Sequence, residues 1–163
     1  IIECRITGLP VGLGEPVFDK FDSELSKAVM SIGAVKGFEI GEGFRSAELT
    51  GSKNNDPFIP KDGGIGKKTN HSGGTLGGMS DGDTVVFRAA VKPTPSIGKP
   101  QQTVDSSGLA QELIIGGRHD PLIVPRAVVV VEAMAAMVTV DLLLRNMASK
   151  LSNVLKVYDN EKR

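Results

Sequence analysis

Three consecutive residues, Arg118, His119 and Asp120, place a guanidinium, an imidazole and a carboxylate side by side. The double glycine Gly116-Gly117 precedes them and Pro121 follows, so the backbone can turn on both sides of the group. Such a set of side chains can bind an anion through its cation and exchange protons through the other two. A charged surface turn would contain the same residues, and this stretch alone leaves both interpretations open.

A second group with chemical potential lies in the stretch VKPTPSI. Pro93 and Pro95 hold the backbone extended and remove two amide donors. Thr94 and Ser96 then present hydroxyl groups beside the ammonium of Lys92, which together could cradle a phosphate or a ribityl chain. A proline-rich loop leaving a strand has the same appearance and is the commoner explanation of such a stretch.

The segment from Gly63 to Gly82 contains eight glycines among its 20 residues. Paired glycines permit positive φ angles and let backbone amides approach a ligand closely. The GKKT stretch within it lacks the full spacing of a phosphate-binding P-loop and follows no apolar strand, which argues against that motif. A mobile loop and a ligand-binding loop both remain open for this segment.

The composition sets limits on the class of protein. Acidic and basic residues balance at 19 each, so no net charge favours nucleic acid or an anionic membrane. Aromatic residues make up only 4% and Trp is absent, which disfavours a base-stacking surface. Cys4 is the only cysteine, so no disulfide forms within the chain and we expect a reducing, cytoplasmic environment. The sequence begins IIECRITG, without a signal-peptide pattern, and we expect it to be part of a longer chain.

Hydrophobic periodicity predicts a mixed α and β domain over residues 1–163. A helix is expected from Pro16 onward, because apolar residues follow at spacings of three and four from Phe18 to Ile32. Strands are expected at Ile1 to Thr7, Val35 to Ile40, Thr84 to Val91 and Gln111 to Ile115.

The apolar run from Leu122 to Leu144 is interrupted by Arg126, Glu132 and Asp141, so we expect a buried core helix rather than a membrane span. This helix should begin near Pro125 and continue through Arg145, Lys150 and Lys156, with these cations near its end. A buried carboxylate needs a partner, which predicts that Glu132 pairs with a cation or caps a backbone group. The order of elements predicts an α+β fold in which helices cover one face of an antiparallel sheet.

The motifs NHSGGTLGG, VKPTPSI and GRHDP, followed by PRAVVVVEAMAAM, together resemble chorismate synthase. The earlier stretch GEPVFDKFDSELSKAVMSIGAVKGFEIGEGF resembles the same family, so the likeness runs from about Gly8 to Leu151. Family chains are about twice this length, and the resemblance implies that this is their C-terminal half, one half of a β-α-β sandwich. The catalytic histidines and several substrate-binding arginines of the family belong to the other half.

The resemblance implies an enzyme of aromatic amino acid biosynthesis, a carbon-oxygen lyase acting on phosphates. It would eliminate phosphate from 5-enolpyruvylshikimate-3-phosphate to give chorismate, with reduced FMN as cofactor and no net oxidation. It also associates the chain with NADP, the shikimate pathway and a cytoplasmic homotetramer, without nucleic acid or a membrane as partner. The half chain alone is expected to be inactive.

The family's site residues fall on matching motifs of this sequence. Asp120 would lie beside the reacting centre, where its carboxylate could take a proton from the flavin N5. Arg118 would contact flavin or substrate anions and serve as the charge partner of Asp120. The resemblance implies no metal site and gives no role to the loop from Asn54 to Lys68. It places the flavin contacts at Gly33, Ala34, Asn70, Gly77, Lys92, Pro93, Thr94, Pro95, Ser96 and Arg118.

A non-catalytic flavin- or phosphate-binding module is the alternative function. Asp120 favours the enzyme, because a carboxylate beside anionic ligands repels them and needs a reason in the chemistry. Lone histidines in loops usually have structural partners, which we expect of His71 and His119. Cys4 alternates with Ile6 in a predicted strand and is expected to be a small core residue.

Overall fold

The structure is a computed structural model that describes residues 1–61 and 63–159. It is an α+β fold with nine strands, four α-helices and one short 3-10 helix, Gly43–Glu48, within those residues. The strands are β1 (Ile2–Ile6), β2 (Val35–Ile40), β3 (Phe58–Lys61), β4 (Gly64–Lys67), β5 (Thr75–Leu76), β6 (Met79–Ser80), β7 (Val85–Val91), β8 (Gln101–Val104) and β9 (Ala110–Leu113). The helices are α1 (Phe21–Met30), α2 (Gly51–Asn54), α3 (Val124–Met147) and α4 (Leu151–Asp159).

The central sheet has the strand order β1-β7-β2, and all its pairings are antiparallel. Alternation along β7 turns Val85, Phe87 and Ala89 to one face, where all three are fully buried. Phe87 stacks on Phe38 of β2 with ring centroids 5.3 Å apart. The strands predicted from alternation at these three places are therefore confirmed, with ends shifted by one residue at most.

Helix α1 covers the apolar face of this sheet. Its residues Phe21, Leu25 and Val29, spaced by four, are all fully buried, because this spacing keeps them on one side of the helix. Helix α3 packs against α1 and β1, and contributes Val131 and Leu142 to the same core. The prediction that helices cover one sheet face is confirmed.

The start of α1 differs from the prediction, which placed Pro16 in its first turn. The helix begins at Phe21, five residues later, and Phe18 is 85% exposed. The amide of Phe21 donates to the carbonyl of Gly78 (2.7 Å), and that of Glu15 donates to the carbonyl of Asp19 (2.9 Å). The preceding segment is thus a loop tied to a glycine turn, although its phenylalanine continues the helical spacing.

The predicted C-terminal helix is two helices, because residues 148–150 form a turn between α3 and α4. Pro125 lies at the start of α3, as expected. The expectation of a fully buried helix was wrong, since only Val131, Ala135 and Leu142 are buried and most other apolar side chains are exposed. Glu132 is also exposed and has no cation paired with it among the described residues, so its predicted ion pair is not seen.

Among the described residues, α3 is the helix long and apolar enough to cross a membrane, with a mean hydropathy of 2.2. Length and composition alone do not separate a membrane span from a helix packed on a sheet. The contacts of α3 with α1 and β1 are those of a helix in a layered fold.

The remaining strands form three separate hairpins: β3-β4, β5-β6 and β8-β9. Two of these hairpins include residues of the glycine-rich segment, so this segment is a set of tight turns rather than a loose linker. In the turn between β5 and β6, Gly77 and Gly78 have φ angles of 61° and 84°, which L side chains adopt rarely. Strand β9 begins one residue before the predicted strand, and its partner β8 was not predicted.

The first prediction concerns the contribution of the buried Phe87 ring to stability. Replacing it, Phe87→Ala, should lower the free energy of unfolding by about 3–5 kcal/mol, because the ring is fully buried and leaves a cavity. The control Phe44→Ala removes a ring that is 82% exposed and should change stability by less than about 0.5 kcal/mol. Urea unfolding followed by circular dichroism measures both, and equal losses would contradict this account of the core.

Candidate functional site

Two of the stretches predicted to contact flavin meet at one end of the sheet. The amide of Lys92 donates to the carbonyl of Ala34 at 2.8 Å, just beyond the pairing of Val35 with Val91. Ala34 has a φ of 71°, a left-handed conformation that costs a non-glycine residue free energy. Strain of this kind at a turn joining two candidate binding segments is typical of functional sites.

The proline-rich segment after β7 carries an unsatisfied polar atom. The hydroxyl oxygen of Thr94 is buried and has no hydrogen-bond partner among the described residues. Lys92, two residues earlier, is exposed. A buried hydroxyl without a hydrogen-bond partner lowers the stability of the fold. A ligand or a water molecule that bonds to it would remove this cost.

The β8-β9 hairpin connects this segment to the Arg-His-Asp stretch. Gln101 pairs with Leu113, so the residues before β8 and those after β9 leave from the same end of the hairpin. Arg118 is exposed and has no ion pair among the described residues, so its guanidinium can take an external anion.

The carboxylate of Asp120 accepts a hydrogen bond from Arg126 Nη1 at 2.9 Å, in the first turn of α3. Arg118 was the predicted charge partner of Asp120, but the cation that faces this carboxylate in the structure is Arg126. His119 Nε2 lies 3.0 Å from the carbonyl oxygen of Ile115, which confirms the structural hydrogen bond expected of this histidine.

The side chain of Asn70 makes its hydrogen bonds within the protein. Its Oδ1 accepts from the amide of Gly74 (2.7 Å), and its Nδ2 donates to the carbonyl of Thr84 (2.8 Å). Asn70 therefore shapes the glycine turn before β5. Gly77 is exposed at the next turn, with open space where a Cβ would lie.

A buried ammonium group lies beneath this turn. Lys67 Nζ donates to Asp81 Oδ2 (2.6 Å), Ser72 Oγ (3.0 Å) and Asn70 Oδ1 (3.3 Å), and the Lys67 side chain is only 3% exposed. All three ammonium donors are thereby used. Lys67 belongs to the GKKT stretch, and these partners agree with the rejection of a P-loop, because its ammonium faces carboxylates rather than a phosphate site.

Asp56 is the second charged anchor of the glycine segment. Its Oδ1 accepts from Thr69 Oγ1 (2.6 Å) and the amide of His71 (2.8 Å), and its Oδ2 accepts from the amide of Ser72 (2.9 Å). Burial raises the pKa of Asp56, but the hydrogen bonds from Thr69, Ser72 and His71 together outweigh it and hold the pKa far below its usual range. Since His71 Nδ1 also lies 2.9 Å from Asp56 Oδ1, His71 has the structural partner expected of it.

Cys4 has no feature of a nucleophile. Burial, and then the charge of Glu132, raise the pKa of its thiol, so the thiol stays protonated. Cys4 packs against the edge of the core, as its alternation with Ile6 predicted.

The predicted site residues Ala34 and Lys92 lie far from Gly77. Ala34, which accepts the amide of Lys92, comes just after the C-terminal end of α1, whereas the turn at Gly77-Gly78 contacts Phe21 at the N-terminal end of α1. A ten-residue helix is about 15 Å long, so these two positions lie at opposite ends of that length.

Sequence reasoning missed Lys67, Asp56 and Asp81, because the ion pairs of Lys67 with the two carboxylates join residues 11 and 14 positions apart. It also missed the pairing of Arg126 with Asp120. A six-residue separation across a helix start follows no regular spacing, so only the proximity of opposite charges in the sequence hinted at this pair.

Comparison with known proteins places this arrangement in a family. A family model described as chorismate synthase matches residues 1–144. The chain belongs to the chorismate synthase family. A solved structure titled "Crystal Structure of Chorismate Synthase" superposes with a TM-score of 0.72 at 32% identity, covering 98% of this chain and 41% of that one.

Bacterial and archaeal chorismate synthases resemble the chain closely. The protein of Agathobacter rectalis is 63% identical over 158 residues and that of Lachnospira eligens 61%, each alignment covering 97% of this chain and 43% of the relative. The Methanosarcina barkeri protein is 60% identical over 147 residues, which are 90% of this chain and 40% of the relative. The chain thus spans less than half the length of the chorismate synthases it matches.

The second prediction concerns Asp56 and pH. Its folded-state pKa lies below the unfolded value, so its contribution to stability is present above about pH 4 and is lost as the pH falls further. Asp56→Asn should lower the free energy of unfolding at pH 7 by about 3 kcal/mol, since it leaves buried donors and Lys67 without their anion. The variant should also lose less stability than the parent between about pH 4 and pH 2.

Urea unfolding at several pH values measures this dependence. The control Asp141→Asn removes a carboxylate that is 55% exposed and pairs with Arg145 on the surface of α3. It should leave both the stability and its acid dependence close to those of the parent. An unchanged acid profile in Asp56→Asn would show that this carboxylate does not anchor the glycine segment.

Proposed function

We propose that a protein containing this chain converts 5-enolpyruvylshikimate-3-phosphate to chorismate by eliminating phosphate, with reduced FMN as cofactor. Membership of the chorismate synthase family supports the reaction, which belongs to the shikimate pathway. The chain covers 43% of the relatives named above, so the activity belongs to the longer protein. The half chain alone should be inactive, since the family's catalytic histidines are in the other half.

The buried, unpaired hydroxyl of Thr94 is the observation that carries the cofactor proposal. It lies two residues from the exposed Lys92, on a backbone that Pro93 and Pro95 keep stiff. A phosphate needs an ammonium for its charge and hydroxyl donors for its oxygens, and these residues offer both. The donor set therefore fits the phosphate end of FMN, with Ser96 as a further hydroxyl.

Flavin, when bound, would lend an electron transiently to help the phosphate group leave and then help remove hydrogen from C6. Asp120 would take a proton at the flavin N5 and hold that nitrogen ready for this hydrogen. Arg126, 2.9 Å from the Asp120 carboxylate, balances its negative charge and fixes its direction. Arg118 is left to bind an anionic group of the substrate or cofactor.

The assembly and the location of the longer protein are proposed from the family resemblance. A cytoplasmic homotetramer, with NADP associated through the supply of reduced flavin, is the proposal for the longer protein. A non-catalytic flavin-binding module would use Lys92 and Thr94 in the same way but would have no use for Asp120. Turnover in Asp120 variants therefore separates the two functions.

The third prediction tests the phosphate cradle. In the longer protein, Thr94→Val should weaken FMN binding roughly tenfold, because it removes a buried donor without changing the side-chain shape. Binding of riboflavin, which lacks the phosphate, should stay within about twofold of the parent. Fluorescence titration measures both affinities, and Thr103→Val, at an exposed position in β8, is the matched control. Equal losses for the two flavins would rule out a phosphate role for Thr94.

The fourth prediction tests catalysis. Asp120→Asn in the longer protein should leave FMN and substrate affinities within about tenfold but slow turnover by roughly two to four orders of magnitude, the usual range for a general acid–base group. The measurement is single-turnover kinetics with prereduced FMN, following flavin absorbance and phosphate release together. Asp105→Asn, in the turn of the β8-β9 hairpin, is the carboxylate control. Unchanged rates in Asp120→Asn would leave the Arg-His-Asp stretch as a binding turn.

A further inference from the structure

Strand β1 lies at the edge of the central sheet, because in the order β1-β7-β2 the described residues give it β7 as its one neighbour. On the other side of β7, the carbonyl of Val86 accepts the amide of Gly41 (2.9 Å), and the amide of Lys92 donates to the carbonyl of Ala34 (2.8 Å). The even-numbered residues of β7 thus bond toward β2. Since the backbone groups of successive residues point to opposite sides of a strand, the odd-numbered residues bond toward β1.

The edge of β1 that faces away from β7 has free backbone groups. The odd-numbered residues of β7 are opposite Ile2, Cys4 and Ile6, whose amides and carbonyls are used in this pairing. The amides and carbonyls of Glu3 and Arg5 lie between them and point away from the sheet. A row of free donors and acceptors at an edge is a template for one more strand, here over the five residues of β1.

A groove of about 310 Å³ runs along this edge, between β1 and α3, and we refer to it as the β1 groove. Cys4 and Ile6 turn toward the helices and form its β1 side, whereas Arg5 alternates with them and pairs with Glu3 on the other face of the sheet at 2.8 Å. An added strand with an apolar side chain at every second residue would fill this groove. The groove is lined by Cys4, Arg5, Ile6, Thr7, Leu9, Glu132, Ala135, Ala136, Thr139 and Val140.

Glu132 is the one carboxylate among these lining residues. It is exposed, and no hydrogen bond or ion pair joins it to another described residue. Burial, and then the charge of Glu132, raise the pKa of the Cys4 thiol, so this carboxylate lies near β1. A segment that covered the groove would take the carboxylate out of water, and a cation on the same segment would offset that cost. The β1 groove therefore fits an apolar strand that carries a Lys or Arg.

A second copy of this chain does not meet these requirements. Two β1 strands paired edge to edge would place two Glu132 carboxylates beside one interface, where like charges repel. The cation of β1, Arg5, points to the opposite face of the sheet and is paired with Glu3. The relatives are more than twice as long as this chain, so most of such a protein lies outside these residues and can supply the strand. A segment of the same polypeptide also meets the groove at a high effective concentration.

We propose that the edge of β1 and the β1 groove bind a β-strand from the remainder of the longer protein, which places apolar side chains in the groove and a Lys or Arg beside Glu132. The proposal rests on the longer protein to which the proposed function is assigned. The added strand becomes the fourth strand of the central sheet. It joins the two parts of the polypeptide through backbone hydrogen bonds as well as through apolar contact.

Hydrogen exchange of single amides in the longer protein tests the added strand without any mutation. The amides of Ile2, Cys4 and Ile6 bond to β7 and are protected with or without a further strand, so they are internal controls. The amides of Glu3 and Arg5 should exchange at least about 100-fold more slowly than in an unstructured peptide, because the added strand accepts their hydrogen bonds. Less than about tenfold protection at both, with Cys4 protected, would overturn the proposal.

A photo-crosslinking residue introduced at Thr7, an exposed position of the groove, identifies the source of the strand. A crosslink within one polypeptide leaves the denatured protein at the mass of one chain. Mass spectrometry should place this crosslink in a segment outside residues 1–163 that contains a Lys or Arg. A product of twice the mass, from a second copy, or a crosslink confined to residues 1–163 would overturn the assignment to the longer protein.

The variant Glu132→Gln tests the cation. It keeps the side-chain shape and removes the charge, so exchange at Glu3 and Arg5 should become about tenfold faster while Cys4 stays protected, the effect of losing one partly buried ion pair. Glu48→Gln, at an exposed carboxylate of the 3-10 helix, is the matched control and should change none of these rates. Unchanged exchange in Glu132→Gln would overturn the pairing of Glu132 with a cation of the strand.

Chorismate formation by the longer protein is measured separately from exchange and crosslinking. Its absence would overturn the proposed function and would leave the exchange pattern of β1 unaffected. Unprotected amides at Glu3 and Arg5 in an active enzyme would overturn the added strand alone.

Discussion

One buried ammonium group, Lys67 Nζ, holds the glycine-rich part of the molecule in place. Three carboxylates lie within 4 Å of it, those of Asp81 (2.6 Å), Asp83 (3.6 Å) and Asp56 (3.9 Å). Three carboxylates can share so small a space only with a cation and hydrogen-bond donors among them. For Asp56, the hydroxyl of Thr69 and the amides of His71 and Ser72 are the further donors. Removing the cation would leave three anions facing each other in a poorly hydrated space.

The glycines make this arrangement possible by letting backbones approach. A Cβ at Gly73 would collide with the backbone of Gly41, and one at Gly74 would lie 2.6 Å from the carbonyl oxygen of Thr84. The turn therefore fits against β7 and the end of β2 only without side chains. Close backbone packing and buried charge thus support each other, and together they fix the position of the turn that contains Asn70, Gly73 and Gly74.

Regular periodicity accounts for what the sequence could predict. Strands β1, β2 and β7 alternate cleanly, and the buried stripe of α1 follows a spacing of four, so these elements were found. Strand β8 was missed because QQTV has no alternation to detect, and β8 is held by pairing with β9 rather than by burial. Phe18 misled the prediction because an exposed aromatic residue happened to continue the helical spacing.

The site was predicted less completely than the fold, for a physical reason. Short sequence motifs contain Lys92, Thr94 and Asp120, and the neighbouring residues in those motifs were enough to predict their chemistry. Lys67 matters because folding brings Asp81, Ser72 and Asn70 to its ammonium group, whereas a lysine in a glycine-rich stretch is usually solvated. Burial of a charged group depends on distant partners, which no local pattern encodes.

Helix α3 has one side packed on the sheet and α1 and another side exposed to solvent. Val129, Met137 and Leu144 are each more than half exposed, although the helix is apolar on all sides. The relatives are more than twice as long as this chain, and their additional length is protein that can cover such a surface. The sheet-facing side of α3 is packed within this chain, whereas its outer side is an apolar surface that the described residues leave exposed.

The β8-β9 hairpin has a consequence for how family members can diverge. Its base, where Gln101 pairs with Leu113, carries the segments of Thr94 and Asp120 on the same side, while its tip at Asp105 turns away from both. Residues added or lost in pairs at the tip would lengthen or shorten the ladder without moving its base. An insertion at the tip would therefore leave the segments of Thr94 and Asp120 in place at the base, so the tip is where this arm can tolerate a change of length.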